Sequence, residues 1–145
     1  PVMSREEPGA AVPYEGSGSE TVLVVEDEDA VRRLVCLALR ERGYAVLDVR
    51  NAEDALEIAA DTSQPFDLLL TDVVMPGLNG RELADRMARL RPGARVLFMS
   101  GYTEDDVLRR GLQGSGFDYL QKPFTPADLA RAVRAVLDHR LRAAG

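Results

Sequence analysis

Five short apolar runs, each followed by an amphipathic segment of helical period, fill the chain from residue 21 onward. The runs cover residues 21–25, 44–49, 66–71, 95–99 and 116–121. The first run is apolar at almost every position, which is typical of a strand covered on both faces, as in parallel sheets. Strand–helix units of this length favour parallel pairing, right-handed crossovers and helices on both sides. The sequence therefore predicts an α/β fold with a doubly wound, five-stranded parallel sheet and five helices.

N-cap residues and apolar periodicity locate the helices. Four N-caps are predicted, each with an acidic residue three positions later: Asn51 with Asp54, Asn79 with Glu82, Thr103 with Asp106, and Thr125 with Asp128. The buried faces of three helices are predicted at Val31, Leu34, Val35, Ala38 and Leu39, at Leu83, Met87 and Leu90, and at Leu129, Val133, Val136 and Leu137. A further helix is predicted after Thr103, and we expect it to be weak because glycines follow at positions 111, 114 and 116.

The first twenty residues have the composition of a linker. They contain three prolines, three glycines, three serines and four glutamates, without a helical or strand period. Such a segment buries too little apolar surface to fold, so we expect residues 1–20 to be disordered and residues 21–145 to form the folded domain. Because the chain starts with Pro1 and Val2, we expect it to be a piece of a longer protein.

Bulk composition narrows the class of protein. The formal net charge of −6 argues against nucleic acid as the main partner. No run approaches the roughly 18 apolar residues that a membrane span requires. Cys36 is the only cysteine, so an internal disulfide cannot form, which fits the reducing cytoplasm. We therefore expect a cytoplasmic domain that contacts neither nucleic acid nor membrane, in a parent protein that could itself be membrane-anchored.

Residues able to do chemistry follow four of the five predicted strands. Glu26 and Asp27 follow the first strand, Asp72 the third, Ser100 the fourth and Lys122, the only lysine of the chain, the fifth. The carboxyl ends of parallel strands meet at one edge of the sheet, so these side chains are expected to share one pocket. Clustered carboxylates repel one another unless a cation is bound, and their oxygens suit Mg²⁺. An aspartate beside such an ion can act as a nucleophile toward phosphorus.

Four motifs resemble those of the receiver domain of two-component response regulators, in the order usual for that family. They are Val-Leu-Val-Val-Glu-Asp-Glu at 22–28, Leu-Thr-Asp-Val-Val-Met-Pro-Gly-Leu-Asn-Gly at 70–80, Phe-Met-Ser-Gly at 98–101 and Gln-Lys-Pro-Phe at 121–124. The resemblance implies a flavodoxin-like sheet with strand order 2-1-3-4-5. It implies these roles: Asp72 as phosphoacceptor; Glu26, Asp27, Asp72 and the backbone carbonyl of Val74 as Mg²⁺ ligands; Ser100 and Lys122 as phosphoryl-binding groups; Ser100 and Tyr119 as switch residues; and a cis peptide bond before Pro123.

The same resemblance implies a phosphodonor outside this segment. The donor would be a histidine kinase core or a histidine phosphotransfer protein, because the single histidine, His139, lies in the last predicted helix, away from the site. The domain would be a switch with self-phosphorylation and autophosphatase chemistry rather than an enzyme. We favour the C-terminal receiver of a hybrid sensor histidine kinase. The alternatives are a stand-alone response regulator and an aspartyl-phosphate hydrolase, although Val74 stands where such hydrolases commonly carry a second aspartate.

Overall fold

A computed structural model describes residues 17–101 and 118–144. The described elements are β1 (Thr21–Val25), α1 (Asp29–Glu41), β2 (Ala45–Val49), α2 (Ala52–Ala60), β3 (Leu68–Asp72), α3 (Gly80–Leu90), β4 (Arg95–Ser100), β5 (Asp118–Gln121) and α4 (Pro126–Ala144). The predicted helix after Thr103 and residues 1–16 of the predicted linker lie outside the described residues. Within the two described ranges, no helix has the length and apolar character needed to cross a membrane.

All five strands are parallel and form one sheet in the order β2-β1-β3-β4-β5. This order confirms the predicted doubly wound α/β fold, and the strand boundaries agree with the sequence prediction to within two residues. The described ranges hold four helices, where the sequence predicts five in the whole chain. All four strand-to-helix connections between described elements leave the same edge of the sheet, which is where the predicted functional residues lie.

Strand residues alternate between two apolar layers on opposite faces of the sheet. Val22 and Val24 pack with α1 and α4, whereas Leu23 and Val25 pack with α2 and α3. All four side chains are fully buried. This two-residue alternation with burial on both faces explains why β1 is apolar without interruption.

The helix faces were predicted only in part. All four predicted residues of the α4 face, from Leu129 to Leu137, are buried. Two predicted positions are wrong, because Leu34 is 68% exposed and Leu90 is 45% exposed. Cys36 is buried and Leu34 is not, so the buried face of α1 is centred closer to Cys36 than the sequence predicts. Leu90 is the last residue of α3, where the helix ends beyond its packed turns.

The three predicted N-caps that fall within residues 17–101 and 118–144 all form, and the cap predicted at Thr103 lies outside those ranges. The Asn51 side chain accepts a hydrogen bond from the Asp54 backbone N–H at 2.7 Å. Reciprocal pairs close the other two helices, Asn79 with Glu82 at 2.9 and 3.1 Å, and Thr125 with Asp128 at 3.0 and 3.1 Å. Each cap satisfies backbone donors that have no partner within the helix. The caps start α2, α3 and α4 at fixed residues.

Residues 17–20, which the sequence places in the linker, contact the folded domain. Arg134 of α4 donates to both carboxylate oxygens of Glu20, at 3.0 and 2.7 Å, and to the Ser17 carbonyl at 3.2 Å. The backbone N–H of Gly18 donates to the Arg42 carbonyl at 3.1 Å. These contacts fix the N-terminal approach to β1 on the side of α4.

Candidate functional site

The carboxyl edge of the sheet brings the predicted site residues together. Glu26 directly follows β1, Asp72 and Ser100 are the last residues of β3 and β4, and Lys122 directly follows β5. These four strands are consecutive neighbours in the sheet. The Lys122 backbone N–H donates to the Ser100 carbonyl at 2.7 Å, which extends the pairing of β4 and β5 into the site.

Three carboxylates form an acidic cluster at this edge. Glu26, Asp27 and Asp72 each contribute an oxygen, and these oxygens lie within 4.8 Å of one another. Glu26 and Asp72 are 1% and 4% exposed, whereas Asp27 is exposed. Two buried carboxylates and one exposed carboxylate suit Mg²⁺, which uses oxygen ligands and keeps several of its waters. The donor set therefore fits the metal that the sequence predicts.

Lys122 bridges the two buried carboxylates. Its Nζ lies 2.6 Å from Asp72 Oδ1 and 3.1 Å from Glu26 Oε1, and its side chain is 29% exposed. Burial would lower the pKa of Lys122, but the contacts with Asp72 and Glu26 outweigh it and raise the pKa. The ammonium group therefore stays charged beside both acids.

One ammonium does not compensate both carboxylates. Burial and the hydrogen bond with Glu26 together raise the pKa of Asp72 to about 8, against the opposing effect of Lys122. Burial also acts to raise the pKa of Glu26, but hydrogen bonds from Asp72, the Glu28 backbone and Lys122 lower it overall. Without a metal, Asp72 therefore holds a proton near neutral pH and Glu26 carries the negative charge. A bound cation would replace that proton.

The Ser100 hydroxyl is buried without a hydrogen-bond partner among the described residues. The residue has no exposed surface, and its Oγ is one of three such side-chain atoms in the described ranges. An unsatisfied buried polar group costs about 1–3 kcal/mol. A hydroxyl held in this way at the site edge is suited to donate to an oxygen of a bound ligand.

Comparison with known proteins identifies the family. Residues 22–134 match the family described as response regulator receiver domain. The chain belongs to this family. Receiver domains are phosphoacceptor signalling modules of two-component systems, which agrees with the resemblance drawn from the four motifs.

Three relatives show the range of proteins in which similar receiver domains occur. The sensor kinase CckA of Brucella abortus (strain 2308) is 40% identical over 122 residues, which are 84% of this chain and 13% of that kinase. The response regulator receiver protein CpdR of the same strain is 33% identical over 116 residues, 80% of this chain and 95% of CpdR. A crystal structure of the receiver domain from the hybrid histidine kinase CckA is 36% identical with a TM-score of 0.67, covering 81% of this chain and 98% of that one.

Two further predicted site residues lie on or against the segment that follows Asp72. Tyr119 of β5 is partly buried and packs with Val73, Ala84 and Phe98, beside the chain that leaves Asp72. Val74 has a side chain that is 45% exposed and follows Val73, whose N–H donates to the Met99 carbonyl at 3.1 Å. The Lys122–Pro123 peptide bond is cis, which is the geometry that the resemblance implies.

Sequence reasoning missed two residues of this receiver that contact the backbone of the site. The N–H of Gly80 donates to the Val73 carbonyl at 2.8 Å, and a Cβ atom on Gly80 would overlap the Asp72 carbonyl. Arg32 donates from Nη1 to the Glu26 carbonyl at 2.8 Å. The signal for Gly80 is a glycine directly after an N-cap, and the signal for Arg32 is a cation in the first turn of a helix.

Proposed function

We propose that Asp72 accepts a phosphoryl group from a phosphohistidine, with Mg²⁺ bound beside it. The observation that carries this proposal is the buried Asp72 carboxylate, which contacts the Lys122 ammonium and lies within 4.8 Å of the carboxylates of Glu26 and Asp27. Positioning and charge neutralisation supply nearly all the catalysis that phosphoryl transfer needs. The site offers both, and the buried hydroxyl of Ser100 adds a donor.

The transfer forms one bond and breaks another at phosphorus. A carboxylate oxygen of Asp72 attacks the phosphorus, the phosphorus–nitrogen bond breaks, and its electron pair returns to the donor imidazole, which takes up a proton from water. Lys122 and Ser100 bind the phosphoryl oxygens in this proposal. Mg²⁺, held by Glu26, Asp27, Asp72 and the backbone carbonyl of Val74, would neutralise the charge on those oxygens.

The nucleophile must be deprotonated before it attacks. Since the pKa of Asp72 is raised to about 8 by burial and by Glu26, metal-free protein holds much of this group in the unreactive form at pH 7. Cation binding lowers that pKa, because an opposite charge favours the carboxylate. The proposal therefore requires Mg²⁺ for acceptor chemistry as well as for charge neutralisation.

Phosphorylation would act as a conformational switch. The phosphoryl group on Asp72 carries up to two negative charges, which attract the Ser100 hydroxyl, and Tyr119 on the neighbouring strand packs against Val73, next to the acceptor. Ser100 and Tyr119 are therefore the proposed switch residues. Hydrolysis of the aspartyl-phosphate resets the site, so the domain has self-phosphorylation and autophosphatase chemistry and needs no separate substrate pocket.

For the parent protein we favour a hybrid sensor histidine kinase with this domain as its C-terminal receiver. The support is the 40% identity to the CckA sensor kinase. The stand-alone regulator is the second candidate, supported by CpdR, 95% of which is covered by the match. In either case the donor is a histidine kinase core or a histidine phosphotransfer protein, the setting is cytoplasmic, and this segment contacts neither nucleic acid nor membrane.

Intact mass spectrometry after incubation with acetyl phosphate tests the acceptor. We expect wild type to gain one phosphoryl group with Mg²⁺ and none with EDTA. Asp72→Ala should gain none in either buffer. Asp85→Ala, which removes an exposed carboxylate of α3, is the matched control and should behave as wild type. Equal phosphorylation of the Asp72 variant would overturn the proposal.

A further inference from the structure

Arg32 occupies an unusual place for a cation. It lies in the first turn of α1, where the partial positive charge of the helix N-terminus disfavours a positive side chain. Its side chain is nevertheless only 15% exposed. A partly buried arginine in this place needs hydrogen bonds whose stabilisation outweighs both the repulsion from the helix dipole and the cost of desolvation.

Three acceptors from three parts of the chain surround the guanidinium group. Nη1 donates to the Glu26 backbone carbonyl at 2.8 Å, at the end of β1. Nη2 donates to Asp29 Oδ1 at 2.7 Å, in α1, and Nε donates to Asp48 Oδ2 at 3.2 Å, in β2. The planar fork of an arginine can satisfy several acceptors at fixed angles, which a lysine ammonium cannot reproduce.

The first of these acceptors belongs to the acidic cluster. The Glu26 carbonyl is part of the peptide group that joins Glu26 to Asp27, so Arg32 holds the backbone between the two carboxylates. The same short segment is tied by Glu26 N–H to the Val49 carbonyl at 3.1 Å and by Glu28 N–H to Glu26 Oε2 at 3.0 Å. Arg32 is the side chain that links this segment to α1 and β2.

We propose that Arg32 is a positioning residue for the cation site, holding Glu26 and Asp27 at the spacing that Mg²⁺ requires; this rests on the proposed function. Mg²⁺ demands near-ideal octahedral geometry, so displacement of the Asp27 backbone weakens binding. Groups that orient metal ligands typically contribute 10–100-fold to metal affinity or activity.

Charge and geometry make opposite predictions for Arg32. If charge alone mattered, removing the Arg32 guanidinium would tighten Mg²⁺ binding, because a cation near the site repels Mg²⁺. The charge of Arg32 is offset by the carboxylates of Asp29 and Asp48, both of which contact the guanidinium group. The geometric effect therefore dominates, and removing the guanidinium weakens Mg²⁺ binding.

The test is the Mg²⁺ dissociation constant, measured from backbone amide shifts of Glu26, Asp27 and Val74 in the absence of phosphodonor. We expect Arg32→Met and Arg32→Lys each to weaken binding about tenfold. Arg40→Met is the matched control: Arg40 lies on the same helix and approaches Asp48 at 4.0 Å. It should bind Mg²⁺ as wild type does. Equal or tighter binding by Arg32→Met, or wild-type binding by Arg32→Lys, would overturn the inference.

A second measurement on wild type keeps the test decisive if the variants fold poorly. The Arg32 Nε–H signal should be slow to exchange with solvent and should shift during the Mg²⁺ titration with the same midpoint as Asp27. A fast-exchanging signal that does not respond would refute the positioning role. Failure of wild type to bind Mg²⁺ contradicts the proposed function instead, whereas binding that is equal in wild type and both Arg32 variants contradicts only the role of Arg32.

Discussion

Replacing Asp72 with asparagine should stabilise the metal-free protein. Asp72 is 4% exposed, and its carboxyl group lies in contact with Lys122 and Glu26. Asparagine keeps the shape of the side chain but never ionises, so it removes the cost of either protonating this group or burying a second negative charge beside Glu26. The gain should therefore appear only where Asp72 of the unfolded chain is ionised.

The direction and size follow from the pKa. Burial, with a further contribution from Glu26, raises the pKa of Asp72 from 3.8 to about 8. A raised pKa in the folded state means that stability is fully present below the unfolded value and is lost as pH rises toward the folded value. At pH 7 roughly three pH units have been crossed, and at about 1.4 kcal/mol per unit the loss is at most about 4 kcal/mol. We expect Asp72→Asn to recover about 2–4 kcal/mol at pH 7–8.

Thermal unfolding followed by circular dichroism in EDTA measures this effect. At pH 8 the midpoint of Asp72→Asn should exceed that of wild type by roughly 6 °C or more, and the difference should shrink toward pH 4. Asp85→Asn, which changes an exposed carboxylate, should match wild type. Mg²⁺ should stabilise wild type more than the Asp72 variant. Equal midpoints of wild type and Asp72→Asn at pH 8, or a difference independent of pH, would show that burial of Asp72 does not destabilise the metal-free protein.

Two other substitutions test how the backbone is held, one beside the site and one near the end of α2. Gly80→Ala should cost at least about 2 kcal/mol in urea unfolding and reduce phosphorylation by acetyl phosphate, because the new Cβ overlaps the Asp72 carbonyl. Gly93→Ala, where a Cβ would meet nothing within 4 Å, should be neutral, and equal costs would contradict the steric argument. Arg91→Lys should cost about 2–3 kcal/mol, because Arg91 donates to three backbone carbonyls near the end of α2, at 3.0, 2.7 and 2.7 Å. An unchanged urea midpoint for Arg91→Lys would contradict this expectation, because it would mean that a lysine ammonium can replace the guanidinium contacts.

The convergence of the site could be predicted because it depends on topology. Parallel strands place their carboxyl ends at one edge, so Glu26, Asp72 and Lys122 meet although they are distant in sequence. The N-caps were equally predictable, because a side chain such as Asn79 bonds to a backbone group three residues away. Rules of this kind need no knowledge of how the helices pack.

The remaining features depend on packing. Periodicity predicts that Leu34 is buried, because it defines an arc of residues but not which edge of that arc meets the sheet. The repulsion among the carboxylates was expected, but only the burial of Glu26 and Asp72 and the exposure of Asp27 determine which acid keeps the proton. Gly80 could not be assigned because its role is to leave space for a backbone carbonyl of another element.

Chemical trapping of the acyl phosphate is the most direct test of the central claim that Asp72 accepts a phosphoryl group. After treatment with acetyl phosphate and Mg²⁺, borohydride reduction converts an aspartyl-phosphate to homoserine, which peptide mass spectrometry locates in the sequence. We expect homoserine at position 72 in wild type, and none there when Mg²⁺ is removed. Reduction at another aspartate, or phosphorylated protein without reduction at position 72, would contradict it.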